Sequence, residues 1–394
     1  MTTRRLLVNL GGMQLAGAQA SLGIAHYTTR ALAALRERGG WAIDGVADDP
    51  AALREAAPAL AFLDTLGRPR SGRSLGAALR RALSSSSGRP DAEYLPHPFS
   101  NALSEKPVLL CCFDLFVVDA PEKYGRHRES RLRHYAESVA RARAIVVPFP
   151  RTFRMLPSVF PAARGKLFLA ACPTLLGDVP LRDEALRSVA ERFRLRGDAR
   201  LVFYPGALHH HKNHVGLIEA AALLVKRGLP VTFVCSGSET SPEVAARIRD
   251  ALRSFDMEAR VLLPGFLSSE EVRALYELCD LAVSPSHAEG GAAIVQEAVH
   301  FGRPVACSGI DAAREHVRWI GADVPFFDPS DPADIARAIE RALEDPGRQV
   351  AANRAARERV GSWTWEALAQ RYAEILDWLA DGAHPRARPP AEPA

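Results

Sequence analysis

The residues most able to do chemistry lie in the segment Ser284-Pro-Ser-His-Ala-Glu-Gly-Gly-Ala-Ala-Ile-Val-Gln-Glu-Ala-Val-His-Phe-Gly-Arg-Pro-Val305. A strand ends, Glu289-Gly290-Gly291 makes a turn, and a helix is expected from about Ala292 with Glu297 in its second turn. Carboxylates accept hydrogen bonds from hydroxyl groups, so Glu289 at the mouth suits a sugar and Glu297 suits a vicinal diol such as a ribose. Gly290 and Gly291 let backbone approach a ligand, and the N–H groups of a helix start, Ala292 among them, offer an anion site. The competing reading is a turn with one solvated glutamate and one on a helix surface. A positive partner is available in Tyr204-Pro-Gly-Ala-Leu-His-His-His-Lys-Asn-His214. The chain has five lysines against 45 arginines, so Lys212, in a loop after a strand, is a candidate compact charge for a phosphate; a solvated surface lysine is the alternative. His209, His210, His211 and His214 include consecutive positions, which cannot all converge on one ion, so a metal site is not expected there. Asp114, at the end of the apolar run Val108 to Phe113, is placed either to contact a ligand or to cap the loop that follows.

These residues need strands that end together. The first half alternates strand-like runs (Leu6 to Leu10, Trp41 to Val46, Val108 to Phe113, Ala144 to Val147) with helical patterns at Ile24 to Arg38 and about Arg126 to Arg143. Leu83 to Pro90 reads as a surface loop. A second series follows, with strands Leu201 to Tyr204, Val231 to Cys235, Val261 to Leu263, Leu281 to Val283 and Pro304 to Cys307. Helical patterns fill its gaps at Gly216 to Arg227, Pro242 to Ser254, Ser269 to Leu278 and Ala292 to Phe301, and a last one covers Trp365 to Leu379. The expectation is an α/β chain of two Rossmann-like domains whose parallel sheets face each other across a cleft. The first covers 1–180, the charged stretch 181–199 supplies a linker and the entry helix of the second, the second covers 200–364, a helix at 365–380 returns to the first domain, and 381–394 is a disordered tail.

Composition excludes several classes. With 28 Gly and 28 Pro scattered through apolar segments and 47% hydrophobic residues, the chain is neither fibrous nor disordered. Its apolar runs stop near six residues, far below the roughly 20 of a spanning helix. The N-terminus lacks a signal-peptide core, so the expected location is the cytoplasm. Six cysteines include no C-x-x-C pair and read as small buried hydrophobes. Residues 1–180 carry 24 Lys+Arg and 15 Asp+Glu, a net +9, against −5 for the remainder. Part of this excess lies on one helix at Arg126, Arg128, Arg131 and Arg133, which raises contact with an anionic membrane face against the plainer reading of a solvated basic surface.

The pattern P-S-x-x-E-G…E-A…G-x-P-V, with seven residues between Glu289 and Glu297, resembles the E-x7-E signature of retaining glycosyltransferases of family 4, a GT-B family. The likeness extends over most of residues 200–380. Tyr204 to His214 resembles the family's strand and G-R-L-x-x-x-K-G loop, Val234-Cys-Ser-Gly237 its second strand and glycine turn, and Leu263-Pro-Gly-Phe-Leu-Ser-Ser269 its base-contacting loop. Phe327 to Asp334 and Trp363-Thr-Trp365 match its closing segments. Leu22-Gly-Ile-Ala-His-Tyr-Thr28 resembles the opening glycine turn and helix, and Phe113-Asp114-Leu115 the family's His-Asp-Leu.

The resemblance implies a nucleotide diphosphate sugar as donor, with Gly206 in its loop and Lys212 on the diphosphate. Glu289 would meet the sugar, Glu297 the ribose, and main chain at Phe266 and Leu267 would flank the base; Gly23 and Asp114 lie on the side of donor or acceptor. It also implies a glycan or lipid-linked acceptor, no nucleic acid, and a reaction without a metal or other cofactor; no Asp-x-Asp occurs anywhere in the chain. Ala207 stands where many relatives have a phosphate-binding arginine, Phe113 replaces the usual histidine, and Gly291-Ala292 replace the common Phe-Gly. A His-Lys-Asn-His loop behind a small residue is similar to mannosyltransferases of bacterial O-antigen and capsule assembly, which points to GDP-mannose. UDP-sugar transfer and a non-catalytic nucleotide-sugar-binding subunit are the alternatives.

Overall fold

The structure is a computed structural model that describes residues 3–10, 22–47, 60, 64–67, 89–194 and 199–384. The chain divides into two compact units, Met1–Cys172 with Trp363–Ala394, and Pro173–Ser362.

The first unit is built on seven parallel strands: β1 (Arg4–Asn9), β2 (Trp41–Ala47), β3 (Asp64–Gly67), β4 (Ala92–Leu95), β5 (Val108–Cys111), β6 (Ala144–Val147) and β7 (Leu167–Leu169). Their order is β3-β2-β1-β4-β5-β6-β7, so the strand order reverses its sense of progression between β1 and β4, the topological switch point of a Rossmann-like sheet. Strands β5 and β6 are buried at every position because helices cover both faces, which is why they read as unbroken apolar runs. The helices include α1 (Leu22–Arg38), α2 (Arg128–Arg141) and α3 (Pro150–Val159). The helix Trp365–Ala380, capped by Thr364 Oγ1 on Ala367 N, belongs to this unit and packs along α1. Its Tyr372 hydroxyl lies 3.2 Å from that of Tyr27 and 3.4 Å from that of Tyr94, inside the core. Asp377 receives Trp41 Nε1 at 3.1 Å and Arg4 at 2.9 Å.

The second unit has six parallel strands: β8 (Arg200–Pro205), β9 (Val231–Ser236), β10 (Val261–Gly265), β11 (Leu281–Ser284), β12 (Val305–Ser308) and β13 (Phe326–Phe327), in the order β10-β9-β8-β11-β12-β13. Its helices are α4 (Asp183–Arg192), α5 (His214–Lys226), α6 (Pro242–Ser254), α7 (Ser269–Leu278), α8 (Ala293–His300), α9 (Asp311–Ile320), α10 (Pro332–Glu344), α11 (Pro346–Ala352) and α12 (Arg354–Gly361). The switch point falls between β8 and β11, the place on an open α/β sheet where ligands bind beyond the strands' carboxyl ends. This is the α/β, two-Rossmann architecture of the GT-B class.

Several boundaries differ from the sequence reading. The first unit ends at Cys172 rather than 180, and the expected linker 181–199 contains α4, which packs on α7 with Arg182 paired to Glu270 and Arg192 to Glu271. Acids Asp183 and Glu184 in its first turn favour that helix, which is the entry helix expected within this charged stretch. The second unit closes at Ser362, two residues before the expected boundary. The basic helix starts at Arg128, because Gly125 at φ +46° breaks it from the preceding turn. Arg126 therefore lies outside that helix, although all four arginines are exposed. The short strands β3, β4, β7 and β13 were not expected from the sequence. Most of the loop 83–90, residues 385–394 of the expected tail and Gly11-Gly12 lie outside the described residues. Among the described residues no helix is long and apolar enough to cross a membrane.

Candidate functional site

At the carboxyl edge of the second sheet, three strand ends are drawn tightly together. Gly206 N donates to Ser236 O at 2.7 Å, and Gly237 N to Gly265 O at 2.8 Å. A Cβ on Gly237 would collide with the Gly206 carbonyl oxygen, and one on Gly206 would sit 2.7 Å from the Tyr204 ring, so backbone approaches backbone here only because both are glycine. Gly206 thus serves the packing of the loop itself. Beyond it, a 3₁₀ turn at His210–Lys212 leads into α5.

The loops after β8 and β11 are joined at their tips. Lys212 Nζ donates to Glu289 Oε1 at 2.6 Å, and the two side chains keep 18% and 15% of their surface exposed. His287 N donates to His211 O at 2.7 Å, and the buried Tyr204 hydroxyl donates to Lys212 O at 2.9 Å, 3.3 Å from Ser286 Oγ. Burial, with Glu289 nearby, pushes the Tyr204 phenol well above its ordinary range, so it stays a donor at any working pH. Ser308 Oγ anchors the same loop through Ser286 O at 2.7 Å. Asn213 holds the left-handed conformation at φ +56° and ψ 39°. Its Nδ2 donates to Pro285 O at 3.1 Å and Pro329 O at 2.7 Å, and its Oδ1 caps α5 through Gly216 N. One side chain so ties three loops, and it holds its neighbour Lys212 against Glu289.

The four histidines point to different partners. His209 Nδ1 lies 3.0 Å from Thr240 Oγ1; that hydroxyl donates to Leu208 O, so the histidine nitrogen donates to it. His210 meets Arg247, His211 is buried beside His209, and His214 is buried against Tyr204. Burial first, then the Lys212 charge, pushes His214 down to about 3. Among the described residues no group of three or more His, Cys, Asp or Glu is placed to hold a metal.

The helix start after Gly290-Gly291 differs from expectation. Gly291 and Ala292 are buried, and Ala292 N donates to His316 Nδ1 at 2.8 Å, so this N–H is taken by the protein rather than offered to an anion. His316 Nε2 then donates to Gln296 Oε1 at 3.0 Å; complete burial pushes this imidazole down to about 3 and keeps it neutral for that bridge. Glu297 is also buried, and its Oε1 accepts from Leu175 N at 2.5 Å. It is a helix glutamate, but not a solvated one. On the outer strand, Phe266 is 62% exposed while Leu267 is buried, so their shared backbone runs along an open apolar ring.

In the first unit, Gly23 lies inside α1 instead of in a turn, and a Cβ there would meet nothing within 4 Å. The fold itself therefore does not demand glycine at 23. Asp114 follows the capping reading: its Oδ1 accepts from Phe116 N at 3.0 Å, and its carbonyl from the Tyr135 hydroxyl at 2.8 Å. Gly23 and Asp114 belong to the first unit, Lys212 and Glu289 to the second. Sequence reasoning missed Tyr204, Asn213 and His316 as supports. Asn213 could have been found, as an N-cap residue type before a helical run, whereas nothing local marks His316, which reaches Ala292 from 24 residues away.

Residues 188–359 match the family model described as "Glycosyl transferases group 1". The chain is 28% identical over 186 residues to the serotype-specific mannosyltransferase WbdA of Escherichia coli, covering 46% of this chain and 22% of that protein. It is 30% identical over 186 residues to the 2-deoxystreptamine glucosyltransferase of Streptomyces kanamyceticus, covering 45% and 46%. The chain therefore spans less than half the length of either relative. Among solved structures, sucrose-phosphate synthase from Thermosynechococcus elongatus superposes with a TM-score of 0.77 at 18% identity, covering 96% of this chain and 100% of that one. Anabaena HepE in complex with UDP and glucose does so with 0.72 at 16%, covering 94% and 99%. At such identities the likeness is one of fold.

Proposed function

We propose that this chain, whose residues 188–359 match the group 1 glycosyltransferases, is a retaining glycosyltransferase that moves a hexose from a nucleoside diphosphate sugar onto a growing glycan. The observation that carries the reading is the Lys212–Glu289 pair, part-exposed at the carboxyl edge of the sheet, with Glu297 one helix turn behind it. GDP-mannose is the donor favoured by the His-Lys-Asn-His loop and by the mannosyltransferase relative. UDP-sugar transfer is the second reading, supported by the glucosyltransferase relative and by a fold neighbour solved with UDP and glucose.

Transfer needs positive charge where the diphosphate departs and an acceptor for hydroxyl hydrogens where the sugar sits. Lys212 supplies the first and Glu289 the second. Their ion pair aims the ammonium before the donor arrives, and donor binding then divides it between carboxylate and phosphate. Ala207 offers no charge, so Lys212 carries more of the load than it would beside an arginine. The departing phosphate takes the acceptor's proton as the new glycosidic bond forms on the same face, so no strong base is required. Glu297 holds the ribose diol, and its other contact, from Leu175 N, fixes the carboxylate from the protein side. No divalent cation takes part in this reading, and activity persists in EDTA. Exposed Arg126, Arg128, Arg131 and Arg133 bring the first unit to an anionic membrane carrying a lipid-linked acceptor, at the inner face of the cell membrane. Vesicle pelleting that does not depend on anionic lipid removes that part.

The test is thermal-shift titration of the wild type and Glu297→Ala with GDP, UDP, GDP-mannose and UDP-glucose, since a bound ligand stabilises by RT ln(1+[L]/Kd). A guanine-selective shift lost in the variant is expected. A uracil-selective shift moves the donor and keeps the mechanism, and no shift with any nucleotide sinks the enzyme reading.

A further inference from the structure

A second cavity, of about 570 Å³, opens on the second unit at the opposite edge of its sheet. Asp280, which lines it, directly precedes β11, and Arg303 lies two residues before β12. Because the strands are parallel, this is the amino-terminal edge, whereas Lys212 and Glu289 follow carboxyl ends.

The cavity's charge is unbalanced in one direction. Asp280 is already matched, with Oδ1 receiving Arg200 at 2.9 Å and Oδ2 receiving Leu201 N at 2.8 Å. Arg303 is matched as well, by Glu277 at 2.8 Å. Arg354 and Arg357 are not. They stand three residues apart on one face of α12, where like charges repel, and both are exposed. Arg357 reaches the carbonyl of His300 through Nε at 2.9 Å, leaving the rest of its fork without a carboxylate among the described residues; the Arg354 guanidinium has neither hydrogen bond nor ion pair there. Leu278 and Val350 give the same cavity an apolar wall.

We infer that this cavity binds a phosphate monoester, its dianion held by Arg354 and Arg357 and its organic body lying against Leu278 and Val350. Two adjacent guanidinium forks match the charge and the oxygen geometry of one phosphate group, which a single surface arginine does not. The group can come from a free metabolite or from a lipid headgroup. The inference does not depend on the proposed transfer reaction, since it uses neither Lys212 nor either glutamate.

Calorimetric titration at low ionic strength with sn-glycerol 3-phosphate and with inorganic phosphate, alongside flotation with phosphatidic acid vesicles, tests it. The wild type and Lys212→Met should bind alike. Arg354→Gln with Arg357→Gln should bind about tenfold more weakly or not at all, while the charge-matched control Arg253→Gln with Arg260→Gln should keep wild-type affinity. Both substituted pairs are solvent-exposed, and equal melting temperatures confirm intact folds. Binding of the soluble esters lost in the cavity variant assigns a metabolite site, and vesicle binding lost in it without soluble binding assigns a headgroup site. Binding unaffected by the cavity pair, lost equally in the control, or absent with every probe overturns the inference.

Discussion

In the second unit, the residues at the strand ends are held by their neighbours but kept for something else. Tyr204, Asn213 and Ser308 fasten backbone, and what they leave at the surface is a lysine and a glutamate facing each other. In the first unit, Asp114 stands at the same kind of strand end and turns back onto its own chain, holding Phe116 N. Its neighbour Phe113 packs edge-on against Tyr27 at 4.8 Å. A polar residue after a parallel strand serves a ligand only when other groups satisfy the local backbone; otherwise the backbone claims it.

The sharpest way to break this contrast is substitution of Lys212. Lys212→Met should lower kcat/KM by about 10²- to 10³-fold, the scale of removing one preorganised charge donor, measured as sugar transfer from the nucleotide donor. A loss of a few-fold only would put the catalytic charge elsewhere. Next comes Asn213→Ala, which removes three hydrogen bonds and leaves alanine in the left-handed region. It should cost about 2–3 kcal/mol in urea unfolding, with activity falling alongside as Lys212 loses its support.

Acid should separate the two units. His214 and His316 are neutral in the fold because burial holds both at about 3, well below their ordinary value near 6.5. The unfolded chain binds these protons first, so their stability is intact above about pH 6.5 and is lost as pH falls toward 3. The slope approaches about 1.4 kcal/mol per pH unit for each histidine. Hydrogen exchange at pH 5 and pH 7 should show the second unit opening first, and His316→Gln should flatten its pH dependence. In the first unit the clustered, buried phenols of Tyr27, Tyr94 and Tyr372, which burial raises well above 10, are groups that acid does not touch. Tyr372→Phe, which removes the hydroxyl shared by that cluster, should cost about 1 kcal/mol at pH 7 with transfer intact. The smallest effect is expected from Asp114→Asn. The amide oxygen still caps Phe116 N, so stability should fall by less than about 1 kcal/mol and kcat/KM by about threefold or less. A loss matching that of Lys212→Met would erase the distinction between the two strand ends.

Much of this was legible in the chain alone. Strands β5, β6, β8, β9 and β11 announce themselves because a parallel strand buried on both faces must be apolar throughout. Lys212, Glu289 and Glu297 stand out because their types and spacings recur within short windows after such strands. Helix α4 was legible only as an entry helix somewhere within Leu181 to Arg200, because six of its ten residues are charged or polar and its apolar stripe is narrow. The helix start expected at about Ala292 falls at Ala293, with Ala292 as its N-cap, since sequence marks where a helix begins only to within a residue or two and says nothing of who takes its first N–H groups.

What the sequence by itself determined was therefore the alternation of strand and helix, and the short list of groups able to meet a phosphate and a sugar; both follow from burial periodicity and local spacing. What only tertiary structure decided was which of those groups remain available. Ala292 N went to His316, Asp114 to Phe116, and one edge of Glu297 to Leu175, while Lys212 and Glu289 kept each other. Apart from the Asp114 cap, these pairings join residues 24 to 122 positions apart, and a hydrogen bond between such partners exists only once the sheet has brought its loops to one edge.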